Sequence, residues 1–208
     1  PAVKKITYVM AEDDNTRAQQ MQAGEFHGSV LPPRLAVTFQ DSDDIDVIAA
    51  TSADWRGLSL PSDNPVTVDP AVRMALNLAV DREAMVDSVL MGYGRTASTF
   101  IPEQYADYHS ADAVFPHDLD RAKNLLDEAG WVEGADGIRS KDGVRAAFTI
   151  MYNPSDRLRR DLAAAFASDA LQAGFDVTLD GVGWDVIEPR IHQDSVMLGG
   201  GDTPYDVD

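Results

Sequence analysis

An α/β fold is predicted by three features of the sequence. Short stretches of alternating apolar and polar residues recur along the chain and read as strands. Between them lie segments whose apolar residues return every three or four positions, the period of a helix packed on one face. The order strand, helix, strand occurs twice, and each such crossover is expected to be right-handed.

Taken in order, "KKITYVM" at 4–10 alternates and reads as a strand. Asp14 or Asn15 can cap a helix over "TRAQQMQAG", which Gly24 ends. "FHGSVL" at 26–31 reads as a short second strand, so this is the first β-α-β unit. Residues 34–54 hold "DSDDID" and read as a loop-rich connection. "WRGLSL" at 55–60 is a strand, and "PSDNP" is a turn. In "VDPAVRMALNLAVDREAMVDSVLMGYG", residues 68–94, Asp69 suits an N-cap and Pro70 the first helical position. Val72, Leu76 and Ala79 or Val80 share a face. Asp81 starts a second helix, with Met85, Val86, Val89 and Leu90 as its apolar stripe. Gly92 supplies a left-handed stop that a residue with a Cβ resists.

Residues 95–116 read as irregular. Asp118 caps the next helix, whose inner face is Leu119, Ala122, Leu125, Leu126 and Ala129. Gly130 followed by Trp131 fits a Schellman ending, which places Trp131 in the core. "DGIRSKDGVRAAFTIMY" reads as a hairpin turning at Asp142-Gly143. Val144, Ala146, Phe148, Ile150 and Tyr152 share one face of its second strand. Ser155 can cap a long helix with Leu158, Leu162, Phe166 and Ala170 inside and Gly174 at its end. "FDVTLD" completes the second β-α-β unit. A short helix broken by Pro189 leads to a last strand, "SVML" at 195–198, and then to "GGGDTPYDVD".

The chemistry in the chain is sparse. The net charge of −18 over 208 residues repels phosphate backbones and anionic lipid, so no nucleic-acid partner is expected. There is no cysteine, which excludes disulfides, thiol nucleophiles and Cys-based zinc sites. His27, His109, His117 and His192 form no HxxxH pair, so no metal site is expected. "DSDDID" lacks the glycine and glutamate of a calcium loop, because Asp46 and Ser52 stand in those places. No nucleophile elbow, phosphate loop or dinucleotide fingerprint is present. No catalytic residue and no cofactor are therefore assigned, and binding is the favoured role. Two loops suit it, because ligands of open α/β sheets sit beyond the carboxyl ends of strands. One is "YNPSDR" at 152–157, at a helix start that attracts anions. The other is "GGGDTPYD" at 199–206, with Asp202, Thr203 and the aromatic hydroxyl of Tyr205.

Four segments in this order resemble the family 5 extracellular solute-binding proteins of ABC importers, the oligopeptide, dipeptide and nickel class. They are "DNTRAQQMQAGEFHGSV", "VRMALNLAVDREAMVDSVLMGYG", "HDLDRAKNLLDEAGW" and "DGIRSKDG". The resemblance implies an incomplete lobe of a two-lobe, type II periplasmic-binding-protein-like fold. Residues 1–55 would be the end of lobe I and the hinge entry, and 56–208 lobe II, truncated on its C-terminal side. It implies a receptor, not an enzyme, that captures small peptides, or a nickel or other metal chelate, by hinge closure. The implied partners are ABC permease subunits, and the implied protein is a periplasmic or extracellular monomer, held at the membrane by a lipid anchor outside this segment. By the same comparison Tyr205 is a ligand contact, with Asp202 and Thr203 beside it. The family's pocket tryptophan falls at Gly201, which weakens the nickel reading. Arg157, with Asn153 in the same loop, is the candidate grip on a peptide carboxylate. The rival outside this class is a hydrolase using two close carboxylates with separated pKa values. A third reading is a pure interaction module, which a broad apolar patch away from any pocket would favour.

Overall fold

The computed structural model describes residues 2–200. The chain divides into two compact units, residues 1–50 and 51–208.

In the first unit, α1 (Asp14–Gln22) is capped by Asp13, whose carboxylate accepts from the Thr16 N–H at 2.7 Å. The cap is thus one residue before the expected Asp14 or Asn15. Gly24 ends the helix in the left-handed region, at φ +72°. A short α2 (Pro33–Ala36) runs into a single 3₁₀ turn at Val37–Phe39. The strands expected at 4–10 and 26–31 do not form, so neither does the first β-α-β unit. Ile6, Tyr8 and Met10 are exposed instead. A strand is completed by a neighbour that takes its N–H and C=O groups, and among the described residues of this unit none is placed to do so.

The second unit holds the core. β1 (Trp55–Leu58) leads through a turn to α3 (Pro70–Ala79). Asp69 caps α3 by accepting from the Ala71 N–H at 2.9 Å, with Pro70 at the first position. Asp81 breaks the chain direction and caps α4 (Arg82–Ser88), accepting from the Ala84 N–H. Both Met91 and Gly92 then take positive φ. After the irregular stretch and one 3₁₀ segment, Asp118 caps α5 (Leu119–Glu128). Its end is the expected motif: Gly130 has φ +87°, and the Trp131 N–H donates to the Leu126 carbonyl at 2.9 Å. β2 (Val132–Glu133), β3 (Arg139–Lys141) and β4 (Val144–Arg145) form a small antiparallel sheet, turning at Asp142-Gly143.

The main sheet adds β5 (Ala147–Tyr152), β6 (Asp176–Gly181) and β7 (Ser195–Gly200), in the order β1-β7-β5-β6. α6 (Arg157–Gln172) crosses from β5 to β6, while α7 (Trp184–Ile187) and a 3₁₀ turn carry the chain back to β7. β5 pairs in parallel with both β6 and β7, and β1 runs antiparallel to β7. Alternation along the strands divides the apolar residues. Phe148, Ile150 and Met197 join α3, α5 and α6 in the main core, whereas Met151 and Val196 pack with Ile187 of α7 on the opposite face. Trp131 and Phe175 are fully buried, so the tryptophan is a core residue as expected.

Candidate functional site

β5 is the first strand laid down in the parallel part of the sheet. From it the chain goes to β6 on one side and then to β7 on the other. That reversal is a topological switch point, and open α/β sheets bind ligands in the crevice expected at such a point, here beyond the carboxyl ends of β5 and β7.

The ends of four elements meet around this crevice. Asp156 caps α6, accepting from the Arg159 N–H at 3.1 Å; it sits one residue past the expected Ser155. Its second oxygen accepts from Arg159 Nε at 2.9 Å, and Arg56 Nη2 of β1 lies 3.9 Å away. Arg56 also donates to the Asp54 carboxylate and to the Trp55 carbonyl. The Arg159 guanidinium lies 5.4 Å from the centre of the Trp184 ring, at cation–π distance. Trp55 lies against Gly57, where a Cβ would meet its ring at 3.1 Å, and its ring centre is 6.2 Å from that of Phe100. Phe100 is exposed and Trp184 half-exposed. Arg56 and Arg159 therefore face Asp54 and Asp156, and Arg157, exposed, follows Asp156 in the chain and opens α6. On a chain of net charge −18 this is a local excess of cation, flanked by aromatic faces. It suits an organic anion with apolar parts, such as a peptide carboxylate or a carboxylate chelate.

The expected site residues are placed as follows. Arg157 opens α6 and is exposed. Asn153 opens the loop after β5, but its side-chain oxygen accepts from the Ser155 N–H at 3.0 Å and from the Ser155 hydroxyl at 2.6 Å, so it shapes the loop. Asp202, Thr203 and Tyr205 lie outside the described residues. At Gly199 a Cβ would stand 2.5 Å from the Trp55 carbonyl, so this glycine serves the approach of β1 to β7. The residues missed in the sequence are Arg56, Asp156, Arg159 and Trp184. A signal for Arg159 existed. It precedes Leu162 and Ala163 by three and four positions, which puts it on the inner face of α6.

Among the described residues two carboxyls have displaced pKa values, and both are held low. For Asp69, burial pushes upward, but hydrogen bonds from Lys141, Trp131 and the Ala71 N–H outweigh it. For Asp136 the hydrogen bond from Arg145 dominates. No group of three or more metal-ligating side chains is gathered among the described residues. No described helix is long and apolar enough to cross a membrane.

The sequence profile of the "Bacterial extracellular solute-binding proteins, family 5 Middle" matches residues 1–206. Protein XP55 of Streptomyces lividans is 46% identical over 197 residues, covering 95% of this chain and 36% of its own length. NikZ from Campylobacter jejuni, solved in complex with Ni(L-His), superposes with a TM-score of 0.80 at 27% identity, covering 95% of this chain and 39% of that one. The oligopeptide-binding protein AppA from Bacillus subtilis, solved with a nonapeptide, gives 0.79 at 26% identity, covering 93% and 40%. The 208 residues thus span well under half the length of these relatives.

Proposed function

The chain belongs to the family 5 bacterial extracellular solute-binding proteins, and from that premise we propose that it forms one wall of a solute pocket in an ABC-importer receptor. Residues 1–55 would complete lobe I and enter the hinge, and residues 56–208 would form most of lobe II. The other wall would come from sequence outside these 208 residues, and the solute would be held between the two when the hinge closes. Only contacts made in the closed state shift that balance, so one wall alone grips weakly. The receptor works outside the cytoplasmic membrane as a monomer, delivers to permease subunits, and performs no chemistry on its cargo.

The observation that carries this reading is the crevice at the switch point, where arginines and aromatic rings converge on a chain otherwise dominated by acids. We assign the cargo to small peptides, with Arg157 reaching the peptide carboxylate and Asn153 shaping the loop that presents it. Tyr205, Asp202 and Thr203 follow β7 in sequence and are proposed as further contacts. A metal chelate is the second reading. It is favoured by the likeness to NikZ, whose ligand also carries a carboxylate on an organic frame.

Native mass spectrometry of the complete protein decides between them, using tri-alanine, a nonapeptide, glutathione and Ni(L-His)₂ as probes. Retention of a peptide, weakened about tenfold (about 1.4 kcal/mol) in Arg157→Ala and Tyr205→Phe, supports the first reading. Retention of the nickel chelate alone replaces it with the second. Turnover of any probe would contradict the receptor role.

A further inference from the structure

Arg159 does something the rest of the sheet cannot. Val196 accepts from the Ser59 N–H at 3.0 Å through its carbonyl, so even-numbered residues of β7 turn their backbone groups toward β1. Odd-numbered residues then turn theirs toward β5. The β5–β7 ladder, however, runs only through Ile150↔Ser195 and Met151↔Val196. Beyond it β5 ends and the chain swings away into the 153–156 loop. Among the described residues, the carbonyls of Met197 and Gly199 are left on an edge with no strand beside it, beyond the last β5–β7 pair.

The guanidinium of Arg159 takes the place of that strand. Nη1 donates to the Met197 carbonyl at 3.2 Å and Nη2 to the Gly199 carbonyl at 3.4 Å. Nε donates to the Asp156 carboxylate at 2.9 Å, and Cζ lies 5.4 Å from the centre of the Trp184 ring. One side chain, 13% exposed, thereby ties the start of α6, the free edge of β7 and the segment after β6. Only a planar fork with several fixed donors can span these groups at once; an ammonium of equal charge cannot.

We propose that Arg159 is a positioning residue for solute capture: by completing the β7 edge it holds the crevice open in the geometry that the solute meets. This rests on the receptor reading above. Its donors are directed inward, so it acts through β7 and Trp184 and leaves the carboxylate contact to Arg157. The floor is then preorganised, and no binding energy is spent on ordering it.

The test compares Arg159→Lys and Arg159→Met with the unaltered complete protein. Hydrogen exchange without ligand is expected to quicken about tenfold or more at the amides of Trp55 to Leu58 and Met197 to Gly199, with α3 and α5 unchanged. Affinity for tri-alanine or Ni(L-His)₂, whichever the unaltered protein retains, is expected to fall about tenfold in the lysine variant, although its charge is kept. The Trp184 emission should shift in both variants. Unchanged exchange and affinity in Arg159→Lys would overturn the proposal, as would faster exchange spread through the whole core. If the unaltered protein retains neither probe, the receptor reading fails separately, and the exchange pattern still decides whether Arg159 holds β7.

Discussion

Two arginines in the larger unit are built into nearly the same device, and the proposal above gives them different work. Arg139 bridges the carbonyls of Trp131 and Ala173, at 2.6 and 3.0 Å, and the Asp127 carboxylate at 2.5 Å. Arg159 bridges the carbonyls of Met197 and Gly199 and the Asp156 carboxylate, at 3.2, 3.4 and 2.9 Å. Arg139 is sealed: its side chain is 2% exposed, and a Cβ on Gly174 would lie 2.7 Å from its Cγ. Arg159 has longer carbonyl bonds, some exposure and a half-exposed indole against it. The first closes the core between α5, the hairpin and the end of α6. The second sits where the sheet parts. A buried cation with short bonds to carbonyls serves stability, whereas the same construction left looser beside a crevice can serve recognition.

Substitutions should separate the two regions, and the largest effect belongs to the sealed one. Arg139→Met strips two carbonyls of their donor and should cost about 3 kcal/mol in urea unfolding. Gly174→Ala strikes the same place from the other side. It puts a Cβ at φ +94° and against Arg139, and should cost about 1–3 kcal/mol.

Asp69 links α3, Trp131 and Lys141, with Trp131 Nε1 at 3.0 Å and Lys141 Nζ at 2.8 Å. Asp69→Asn should cost about 1 kcal/mol at pH 7. Because the folded state holds this carboxyl below its ordinary value, its contribution is present above the unfolded pKa of about 3.9. It is lost as pH falls through the lower, folded value. The variant should therefore show a flatter acid limb when unfolding is followed between pH 5 and pH 2.

At the crevice the balance reverses. Arg157→Ala should leave the unfolding midpoint within about 0.5 kcal/mol of the parent and register only in affinity. Equal destabilisation by Arg139→Met and Arg157→Ala would erase the distinction between the two regions.

The elements with their own punctuation were legible in the sequence. Asp69-Pro70, Asp81, Asp118 and Asp142-Gly143 each stand where backbone and side chain demand that residue type, and the structure uses all four. Caps were misplaced by a residue where candidates adjoin, as at Asp13-Asp14 and Ser155-Asp156. The helix phase that chooses between them is set by packing. Residues 4–10 alternate as a strand does, yet pairing is a property of two segments and alternation a property of one. The strand ends at the candidate site were legible, but the side chains that gather there were not. Among Arg157, Arg159 and Arg160, selection by exposure to ligand and selection by helix phase point to different side chains, and only the fold shows that Arg159 turns inward. Trp184 was hidden because its role depends on Arg159, which is 25 positions earlier in the chain.

The most direct test of the account is a calorimetric titration of the same probe into the complete protein and into the isolated 208 residues. The account predicts saturable binding by the complete protein and affinity at least about a hundredfold weaker, roughly 3 kcal/mol, for the isolated chain, because a clamp with one jaw makes only half its contacts. Equal, stoichiometric affinity in both would mean that the pocket lies wholly within these residues, and the division of the site between two lobes would be wrong.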